Sequence, residues 1–434
     1  MILSKFSKIF PCEGKPGYQL LYSTKRASSL LVHESVIQSA QEGRIAGEEQ
    51  QIMEKFGLLV SSIDEEVREI LSIMDSMNRT ARLFSAMVVL NLDCNLACTY
   101  CYEGAMKGRY FMSDETADAL IGFLEREHIE QGRSIHLDFY GGEPLLSQGL
   151  IAKISGRLKS SAERRGLSYS FNLITNGTLL TRKAVESMLP LGLKGAKINL
   201  DGPRDVHDEL RPFKSGAGSY DLIVRNMKET CDLIEIQIGG NYNRETYERL
   251  SDLLDQLIAE GIKPADISMV KFTPILKVSS EFATPESRGG CITIDEPWLI
   301  EASIFLREEI LKRGFTTQKV QPSICMVEME NDLVVNHDGA LYKCPAFLGL
   351  KDFEAGNLQT GIKGYGESHN LGYWKKEECL TCSYLPLCFG GCRYMKFLRD
   401  GRVDNVDCRK DYLDATLQAF IEQEIRYGLK SGTP

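Results

Sequence analysis

Apolar positions recur along the middle of the chain as short runs that alternate with amphipathic stretches. Six of the runs predict β-strands, at Ala86–Leu92, Ile135–Tyr140, Tyr169–Thr175, Ala196–Leu200, Ile234–Gly239 and Ile267–Thr273. Helices are predicted between them, most clearly over Glu245–Ala259, where the leucines share one face. Because strands that alternate with helices favour a parallel sheet, the sequence predicts an α/β fold with six strand-helix units, either an open sheet or a partial (β/α)6 barrel.

A different pattern precedes this core. Two β-prone runs, Tyr18–Tyr22 and Ser29–Val32, predict a hairpin. Helices are then predicted at Glu34–Gln41, Gly47–Phe56 and Asp64–Met77. This order is that of a small winged-helix unit, and the alternative is a plain extension that packs on the next domain.

The pattern changes again after the sixth strand. Residues Pro274–Pro297 lack periodicity and predict a linker or a substrate-facing loop, which a helix over Trp298–Arg313 follows. The remaining chain is rich in cysteine and glycine, so its core is too small without metal. We therefore predict a winged-helix-like unit at 1–83, a partial barrel at 84–275, a bridging segment at 276–323 and a cysteine-rich domain at 324–434.

The amino-acid composition argues against several classes of function. The 434 residues carry 51 basic and 60 acidic side chains, a formal charge of −9 without a basic run, which makes a nucleic-acid partner unfavourable. The N-terminus does not read as a signal peptide and no run of 18 apolar residues occurs, so we expect a cytoplasmic protein without a membrane partner. In that reducing compartment, the 13 cysteines indicate metal binding rather than disulfides.

Three thiols lie within eight residues, at Cys94, Cys98 and Cys101, directly after the first predicted strand. This spacing indicates an iron-sulfur cubane with three protein ligands, whose fourth iron is open to another ligand. A zinc knuckle or reduced core cysteines are the alternatives. Tyr100, between the last two thiols, is suited either to packing over the cluster or a bound purine, or to shielding the site from water.

Polar residues also follow the next three strands. The second strand ends in Gly141, Gly142 and Glu143, where glycines allow close approach of a ligand and the carboxylate can accept from an ammonium. The later candidates are Asn176, for a ribose hydroxyl, Asn199 and Arg211. Each pattern alone also fits an ordinary turn, but their joint placement at successive strand ends predicts one site.

The C-terminal region contains a second pattern of cysteines. Its members are Cys325, Cys344, Cys379, Cys382, Cys388, Cys392 and Cys408, with the spacing C-x13-G-x4-C, then C-x2-C-x5-C-x3-C, then C. A zinc ribbon is the alternative, but seven ligands exceed the need of one zinc ion. The pattern therefore indicates metal clusters.

The segments CNLACTYC, GGEP, ITNGT and NLDGP followed by HDELR resemble those of the radical S-adenosylmethionine (SAM) enzymes. This resemblance implies that Cys94, Cys98 and Cys101 hold a 4Fe-4S cluster whose fourth iron binds SAM. It also implies that Gly141, Gly142 and Glu143 approach the methionyl amine and Asn176 the ribose, while Asn199 and Arg211 reach the rest of the cofactor. Reductive cleavage of SAM would then give a 5′-deoxyadenosyl radical that abstracts a substrate hydrogen.

The C-terminal cysteines resemble the SPASM domain of peptide and sulfatase maturases. That resemblance implies two auxiliary 4Fe-4S clusters, one with Cys379, Cys382, Cys388 and Cys408 and the other with Cys325, Cys344 and Cys392. The second set is one ligand short, so either Cys291 completes it or an open iron accepts a substrate thiolate, which we favour. Cys231 is expected in the core, and Cys12 has no assigned role.

The whole chain is similar to SPASM maturases of ribosomal peptides, and most like geopeptide maturases. This implies an enzyme that binds the leader of a small precursor peptide at its N-terminal unit, takes electrons from a flavodoxin or ferredoxin and installs a cross-link, with a thioether favoured. Carbon-carbon cross-linking, epimerisation and decarboxylation are alternatives. Formylglycine formation in sulfatases is another, disfavoured because Pro345 replaces an acidic residue, and an iron-sulfur electron-transfer protein is the non-enzyme alternative.

Overall fold

The computed structural model describes residues 1–12, 14–101, 103–277, 293–294 and 296–429. The chain forms two compact units. The first, here the terminal unit, comprises Met1–Thr80, Lys319–Met329 and Asn370–Pro434, and the second, the barrel unit, comprises Ala81–Gln318 and Glu330–His369. The cysteine-rich region expected at 324–434 contributes residues to both units, and the division into four domains stays a prediction.

The described residues among the first 80 form five strands and three helices. The strands are β1 (Ile2–Leu3), β2 (Ser7–Pro11), β3 (Tyr18–Ser23), β4 (Ser28–His33) and β5 (Leu59–Val60), and the helices are α1 (Glu34–Gln41), α2 (Gly47–Lys55) and α3 (Ile63–Thr80). Strands β2, β3 and β4 make an antiparallel sheet in that order, and β1 pairs with β5. The predicted hairpin is the β3–β4 pair, in which Leu20 faces Leu31. The sequence missed β2, whose short run is interrupted by Lys8.

The barrel unit is built on one ten-stranded sheet. Its strands are β6 (Leu83–Asn91), β7 (Ser134–Gly141), β8 (Tyr169–Thr175), β9 (Leu193–Asn199), β10 (Glu235–Tyr242), β11 (Ile267–Pro274), β12 (Asp332–Val335), β13 (Ala340–Tyr342), β14 (Glu354–Asn357) and β15 (Gly361–Ile362). Neighbours follow the order β11-β10-β9-β8-β7-β6-β12-β13-β14-β15, and β6 to β11 are parallel. The predicted α/β fold with six parallel strands is therefore confirmed.

Helices connect these strands. They are α4 (Asp114–Leu124), α5 (Gln148–Glu163), α6 (Arg182–Met188), α7 (Arg204–Leu210), α8 (Tyr220–Thr230), α9 (Arg249–Ala259) and α10 (Pro297–Lys312). Helix α9 begins four residues later than the predicted Glu245. The reason is local, because the Asn243 side chain accepts from the Glu245 N–H at 3.1 Å and from the Thr246 hydroxyl at 2.9 Å, which holds a turn in place of the first helical turn.

Strands β12 to β15 of the cysteine-rich region extend the barrel sheet. Strand β12 lies parallel to β6, with Leu333 opposite Ala86. Leu333, Val335 and Leu341 are buried in the same apolar cluster as the six parallel strands. This burial explains why residues 330–369 belong to the barrel unit, a long-range pairing that local pattern could not indicate.

The rest of the terminal unit contains α11 (Glu377–Leu380), α12 (Leu385–Cys388), α13 (Arg393–Asp400) and α14 (Lys410–Tyr427). Phe6 and Ile70 pack with Trp374 and Phe389 in one buried cluster. The chain ends thus share a core, although a smaller cluster around Met53 belongs to the first 80 residues alone. Among the helices of the described residues, none combines the length and apolar character that crossing a membrane requires.

Candidate active site

The three clustered cysteines lie on a loop that leaves the carboxyl end of β6. Backbone bonds tie this loop to the end of α7, since Ala97 N donates to Pro212 O at 2.8 Å and Thr99 N to Leu210 O at 3.1 Å. A third bond joins Lys214 N to Asn95 O at 3.0 Å. The loop therefore has a defined backbone at the strand ends, where parallel barrels keep their chemistry.

The thiol environment is set by burial. Cys94 is buried, and its sulfur accepts from the Leu96 N–H at 3.4 Å and from Asn176 Nδ2 at 3.6 Å. Burial raises the pKa of the Cys94 thiol, and it raises the pKa of Cys101 to about 11. Because iron binds the thiolate, a bound metal must supply the stabilisation that buried thiolates otherwise lack.

Lys107 supplies one positive charge beside these thiols. It hydrogen-bonds Cys101 and lies close enough to Cys98 and Cys94 for their charges to interact. Burial opposes the ammonium charge, but the three cysteines outweigh it and raise the pKa of Lys107. The sequence analysis missed this residue, and its position six residues after Cys101 carried no motif.

Asn176 holds the cysteine loop through its amide. Its Nδ2 donates to Asn95 Oδ1 at 2.8 Å and to Cys94, while its Oδ1 accepts from the Thr178 N–H at 2.9 Å and the Thr178 hydroxyl at 2.7 Å. Both donors and both acceptor positions of the amide are thereby engaged within the protein. The structure thus gives Asn176 a role in positioning the cysteine loop, and the ribose contact expected from the sequence stays a prediction.

The two glycines after β7 allow the backbone to lie against the cysteine loop. A Cβ atom on Gly142 would lie 2.2 Å from the backbone oxygen of Asp93, and one on Gly141 would lie 2.2 Å from that of Asn91. Gly141 also has a φ of +135°, which other residues rarely adopt. Gly142 N donates to Asn91 O at 3.0 Å. The glycines are therefore needed to bring β6 and β7 this close.

Glu143 is fully buried behind these glycines. Its Oε1 accepts from the Thr175 hydroxyl at 2.8 Å and the Leu145 N–H at 3.0 Å, and its Oε2 accepts from the Asn176 N–H at 2.8 Å. Burial raises the pKa of this carboxyl despite the three donors. One of the four lone-pair positions of the carboxylate stays available for a further donor such as an ammonium.

Tyr100 joins a buried network with Asp201, Arg211 and Asn241. The Tyr100 hydroxyl donates to Asp201 Oδ2 and accepts from Arg211 Nη1 at 2.7 Å, and Asn241 N donates to Asp201 Oδ1 at 2.7 Å. Burial works against the charge on Arg211, but nearby Cys98, Tyr100 and Asp201 outweigh it and raise the pKa of the guanidinium. The network therefore fixes the hydroxyl end of Tyr100, which lies in the sequence between Cys98 and Cys101.

Two members of that network were not singled out from the sequence. Asp201 lies in the NLDGP segment, but its role depends on Tyr100, which is 101 residues away. Asn241 follows the glycines of β10, one strand beyond the last strand-end motif. Their position could have identified them, because both residues lie at the carboxyl end of a parallel strand.

Asn199, at the end of β9, lies against β10. A Cβ atom on Gly239 would lie 2.3 Å from Asn199 Oδ1, so the missing side chain leaves room for this amide. Glu143 and Asn176 therefore follow β7 and β8, Asn199 ends β9, and Arg211 lies on the connection from β9 to β10. The structure brings these sequence-predicted residues to the same end as the cysteine loop.

The donor set fits the cofactors that the sequence implies. Three thiols can hold three irons of a cubane, and the fourth iron is then open to a ligand. Within the described residues, Arg211 Nε and Glu103 Oε1 are buried without a hydrogen-bond partner. This end of the barrel therefore retains one buried donor and one buried acceptor that a ligand could satisfy. In the same residues no three His, Cys, Asp or Glu side chains are grouped to hold a single metal ion.

The C-terminal cysteines fall in both units. Cys379 interacts electrostatically with Cys382 and Cys408, and Cys388 with Cys382, all within the terminal unit. Cys392 interacts with Cys325 in that unit, whereas Cys344 belongs to the barrel unit. Cys379, Cys382, Cys388 and Cys408 are the four cysteines expected to hold one auxiliary cluster. The ligand set of the other cluster stays a prediction.

The remaining cysteines have no part in these groups. Cys231 packs against the barrel core, which confirms the expectation of a core residue. Cys12 is partly buried in the terminal unit. Cys291, the alternative ligand for the second auxiliary cluster, lies outside the described residues.

Comparison with known proteins agrees with this geometry. Residues 88–257 match the family model described as "Radical SAM superfamily". An uncharacterised protein of Methanocaldococcus jannaschii is 30% identical over 276 residues, 62% of this chain and 87% of the relative. A serine-type anaerobic sulfatase-maturating enzyme of Bacteroides thetaiotaomicron is 24% identical over 346 residues, 70% of this chain and 81% of the enzyme.

A solved structure shares the fold over nearly the whole chain. Streptococcus suis SuiB bound to the precursor peptide SuiA superposes with a TM-score of 0.53 at 15% identity, covering 94% of this chain and 98% of SuiB. The parallel barrel carries three clustered thiols at the carboxyl ends of its strands. This is the fold and the site of an enzyme that uses an iron-sulfur cluster. The chain belongs to the radical SAM superfamily. This confirms the predicted family, the fold class and the assignment as an enzyme.

Proposed function

We propose that this radical SAM enzyme installs a cross-link, with a thioether favoured, in a ribosomally made precursor peptide. The observation that carries the proposal is the composition of the terminal unit, which joins a small antiparallel sheet to six of the seven C-terminal cysteines in one compact body. A unit of this kind suits a peptide substrate and auxiliary redox groups together. The names of the sulfatase-maturating relative and of the SuiB complex support a peptide substrate.

In the barrel unit, Cys94, Cys98 and Cys101 would hold a 4Fe-4S cluster. When bound, this cluster and SAM supply the radical that removes a substrate hydrogen. Glu143 would accept from the methionyl ammonium with its remaining lone pair, which offsets the cost of burying the carboxylate. Arg211 Nε and Asn199 would contact other polar groups of SAM, while Tyr100, Asp201 and Asn241 keep Arg211 in place and exclude water.

We further propose two auxiliary 4Fe-4S clusters. Cys379, Cys382, Cys388 and Cys408 would hold one, and Cys325, Cys344 and Cys392 the other. An open iron in the second cluster would bind the substrate thiolate and take up the electron released when the carbon-sulfur bond forms. A flavodoxin or ferredoxin would supply the electron that starts each turnover.

The leader of the precursor would bind the terminal unit at β4. Among the described residues, β4 pairs with β3 alone, so its other edge is free to pair with an extended peptide. Beside it lies a groove of about 650 Å³ whose apolar lining includes Leu20, Leu31 and Ile425. Leu31 and Ile425 are 41% and 54% exposed. Strand addition and apolar side-chain contacts would act together here.

The leader site can be tested with Leu31→Glu. Burying a leucine side chain contributes about 1.5–3 kcal/mol, so the variant should bind the leader at least about tenfold more weakly in a fluorescence anisotropy assay. Ile52→Glu is the matched control, because Ile52 is 37% exposed in the same unit and does not line the groove. Equal affinities for Leu31→Glu and the wild type would place the leader elsewhere.

The reaction can be tested by coexpression with a small precursor peptide, sought among the genes next to that of the enzyme. A cross-link removes two hydrogens, about 2 Da in the mass spectrum, and a thioether also removes one thiol that iodoacetamide can label. Carbon-carbon cross-linking gives the same mass with the thiol intact, whereas epimerisation leaves the mass unchanged. Coexpression with Cys94→Ala should leave the precursor unmodified. A wild-type product of unchanged mass would refute the proposed cross-link.

Iron content tests the clusters separately. Three cubanes give about twelve irons per chain, and replacing Cys379, Cys382 and Cys388 by alanine should remove about four of them. Replacing Cys94, Cys98 and Cys101 should remove a different four and abolish formation of 5′-deoxyadenosine. About four irons in the wild type would exclude the auxiliary clusters.

Formylglycine formation in sulfatases is the second candidate, favoured by the 24% identical sulfatase-maturating relative. Pro345 follows Cys344, where the resemblance to that family would place an acidic residue. Incubation with a short sulfatase peptide decides between the two, since formation of an aldehyde would support this candidate.

A further inference from the structure

A small basic pocket opens beside the first residue of β4. Its volume is about 360 Å³, and it is lined by Arg26, Ser28, Lys55 and Phe56. The Ser28 hydroxyl donates to the Phe56 backbone oxygen at 2.5 Å, which ties the start of β4 to the residue that follows α2. The pocket therefore lies between the β3–β4 turn and the end of α2, next to the strand whose outer edge has no partner among the described residues.

The side chain of Arg26 has a defined place at this pocket. A Cβ atom on Gly57 would lie 2.5 Å from Arg26 Cδ, so the arginine can cross the backbone there only because glycine has no side chain. Gly57 also has a φ of +67°, which favours glycine. Ser23 Oγ accepts from the Arg26 N–H at 3.2 Å and donates to the Gly57 backbone oxygen at 3.2 Å. The turn before β4 therefore holds the arginine at the pocket.

The two cations of the pocket, Arg26 and Lys55, are exposed, and neither has an anionic partner among the described residues. The neighbouring Lys25, by contrast, contacts Glu66 Oε1 at 3.1 Å and Glu69 Oε2 at 2.8 Å. Two like charges that line one pocket repel each other, whereas a carboxylate between them is attracted to both. The pocket therefore suits an anion, and carboxylates are the anions that peptide side chains supply.

The two faces of β4 have different surroundings. Leu31 lines the apolar groove beside α14. Leu30 points to the other face, where it packs with Phe56 against the cluster around Met53. Ser28 lies two positions before Leu30 and therefore shares its face. An extended peptide added to β4 would place alternate side chains in the apolar groove and on the side of the basic pocket.

We propose that Arg26 and Lys55 bind a carboxylate side chain of the precursor leader. This inference rests on the proposed function, which places the leader along β4, and it adds the chemistry that the leader carries. The acidic residue lies near Ser28 and an apolar residue near Leu31, on opposite faces of the added strand. An odd number of positions therefore separates the two residues along the leader. The recognised segment is an extended run, acidic on one face and apolar on the other.

The test measures binding of the labelled leader, taken from the precursor used in coexpression, to the anaerobic holoenzyme by fluorescence anisotropy. The double variant Arg26→Glu/Lys55→Glu should bind it at least about tenfold more weakly at low salt, because two attractive charges become repulsive. The difference should shrink at 1 M salt, where the Debye length is about 3 Å. The matched control Arg68→Glu/Arg79→Glu, which makes the same change of charge at exposed positions of α3 outside the pocket, should bind like the wild type.

Changes in the leader identify the carboxylate. When each Asp and Glu of the leader is replaced in turn by its amide, one replacement should weaken binding to the wild type but not to the double variant. A lysine at that position should bind the double variant more tightly than the original leader does, because the two signs of charge are then exchanged. This rescue separates a direct contact from a general effect of net charge.

Equal affinities of the wild type and the double variant at low salt would overturn the inference, as would a bound leader segment without Asp or Glu. The proposed function survives that result if Leu31→Glu still weakens leader binding and the precursor is modified. A precursor that the wild type neither binds nor modifies would refute the proposed function, and the inference with it. Circular dichroism equal to that of the wild type confirms folding, and Arg26→Gln/Lys55→Gln, which only removes the charges, should show a smaller loss in the same direction.

Discussion

His207 on α7 should make the stability of the barrel unit depend on pH. Its side chain is fully buried, with Nδ1 accepting from the Asp201 N–H at 3.3 Å and Nε2 donating to Ser219 Oγ at 3.0 Å. A second ring proton would face the Asp201 N–H without an acceptor. Burial, with a further contribution from Arg211, lowers the pKa of His207 to about 4.

The magnitude follows from the difference between the folded and unfolded states. An unfolded histidine has a pKa of about 6.5, so a folded value of about 4 corresponds to about 3 kcal/mol of stability. Because the folded pKa is the lower one, this contribution is complete above pH 6.5 and is lost as the pH falls from 6.5 towards 4. About 1.4 kcal/mol should be lost between pH 7.5 and pH 5.5.

The variant His207→Gln removes the titrating group. It should be less stable than the wild type at pH 7.5, and the difference should shrink by about 1.4 kcal/mol at pH 5.5. The opening free energy can be measured by hydrogen exchange of the β9 amides, corrected for the pH dependence of the intrinsic rate. A wild type and variant that lose stability in parallel over this range would refute the reasoning.

Two further substitutions test how the site is held together. Gly142→Ala places a Cβ atom 2.2 Å from the Asp93 backbone oxygen and should cost at least about 1–3 kcal/mol in urea unfolding, whereas Gly149→Ala, which meets no atom within 4 Å, should unfold like the wild type or later. Asp201→Asn leaves the buried guanidinium of Arg211 without its carboxylate and should cost about 3–5 kcal/mol by the same assay. Wild-type stability of Asp201→Asn would show that Tyr100 and Asn241 alone suffice to hold Arg211.

Much of the fold could be predicted from local pattern. The six parallel strands were found because each is an apolar run long enough to cross a buried sheet, and the helices between them show a clear period. Boundaries failed where a side chain competed with the backbone, as Asn243 does before α9. Strand β12 was missed because its pairing with β6 joins residues some 250 positions apart, which no local signal encodes.

The sequence by itself also determined which chemical groups occur at the site. The chemistry requires three closely spaced thiols, paired glycines and polar residues at the strand ends, and each of these is visible as a local pattern. Tertiary structure decided what those groups do. The Asn176 amide uses all its hydrogen-bonding positions on Asn95, Thr178 and Cys94. These partners are within reach because the loop after β8 lies close to the loop after β6. Asn199 has room for its amide only because Gly239 on the next strand lacks a side chain. Residue type and spacing are local properties, whereas hydrogen-bond capacity and burial depend on the neighbours that folding supplies.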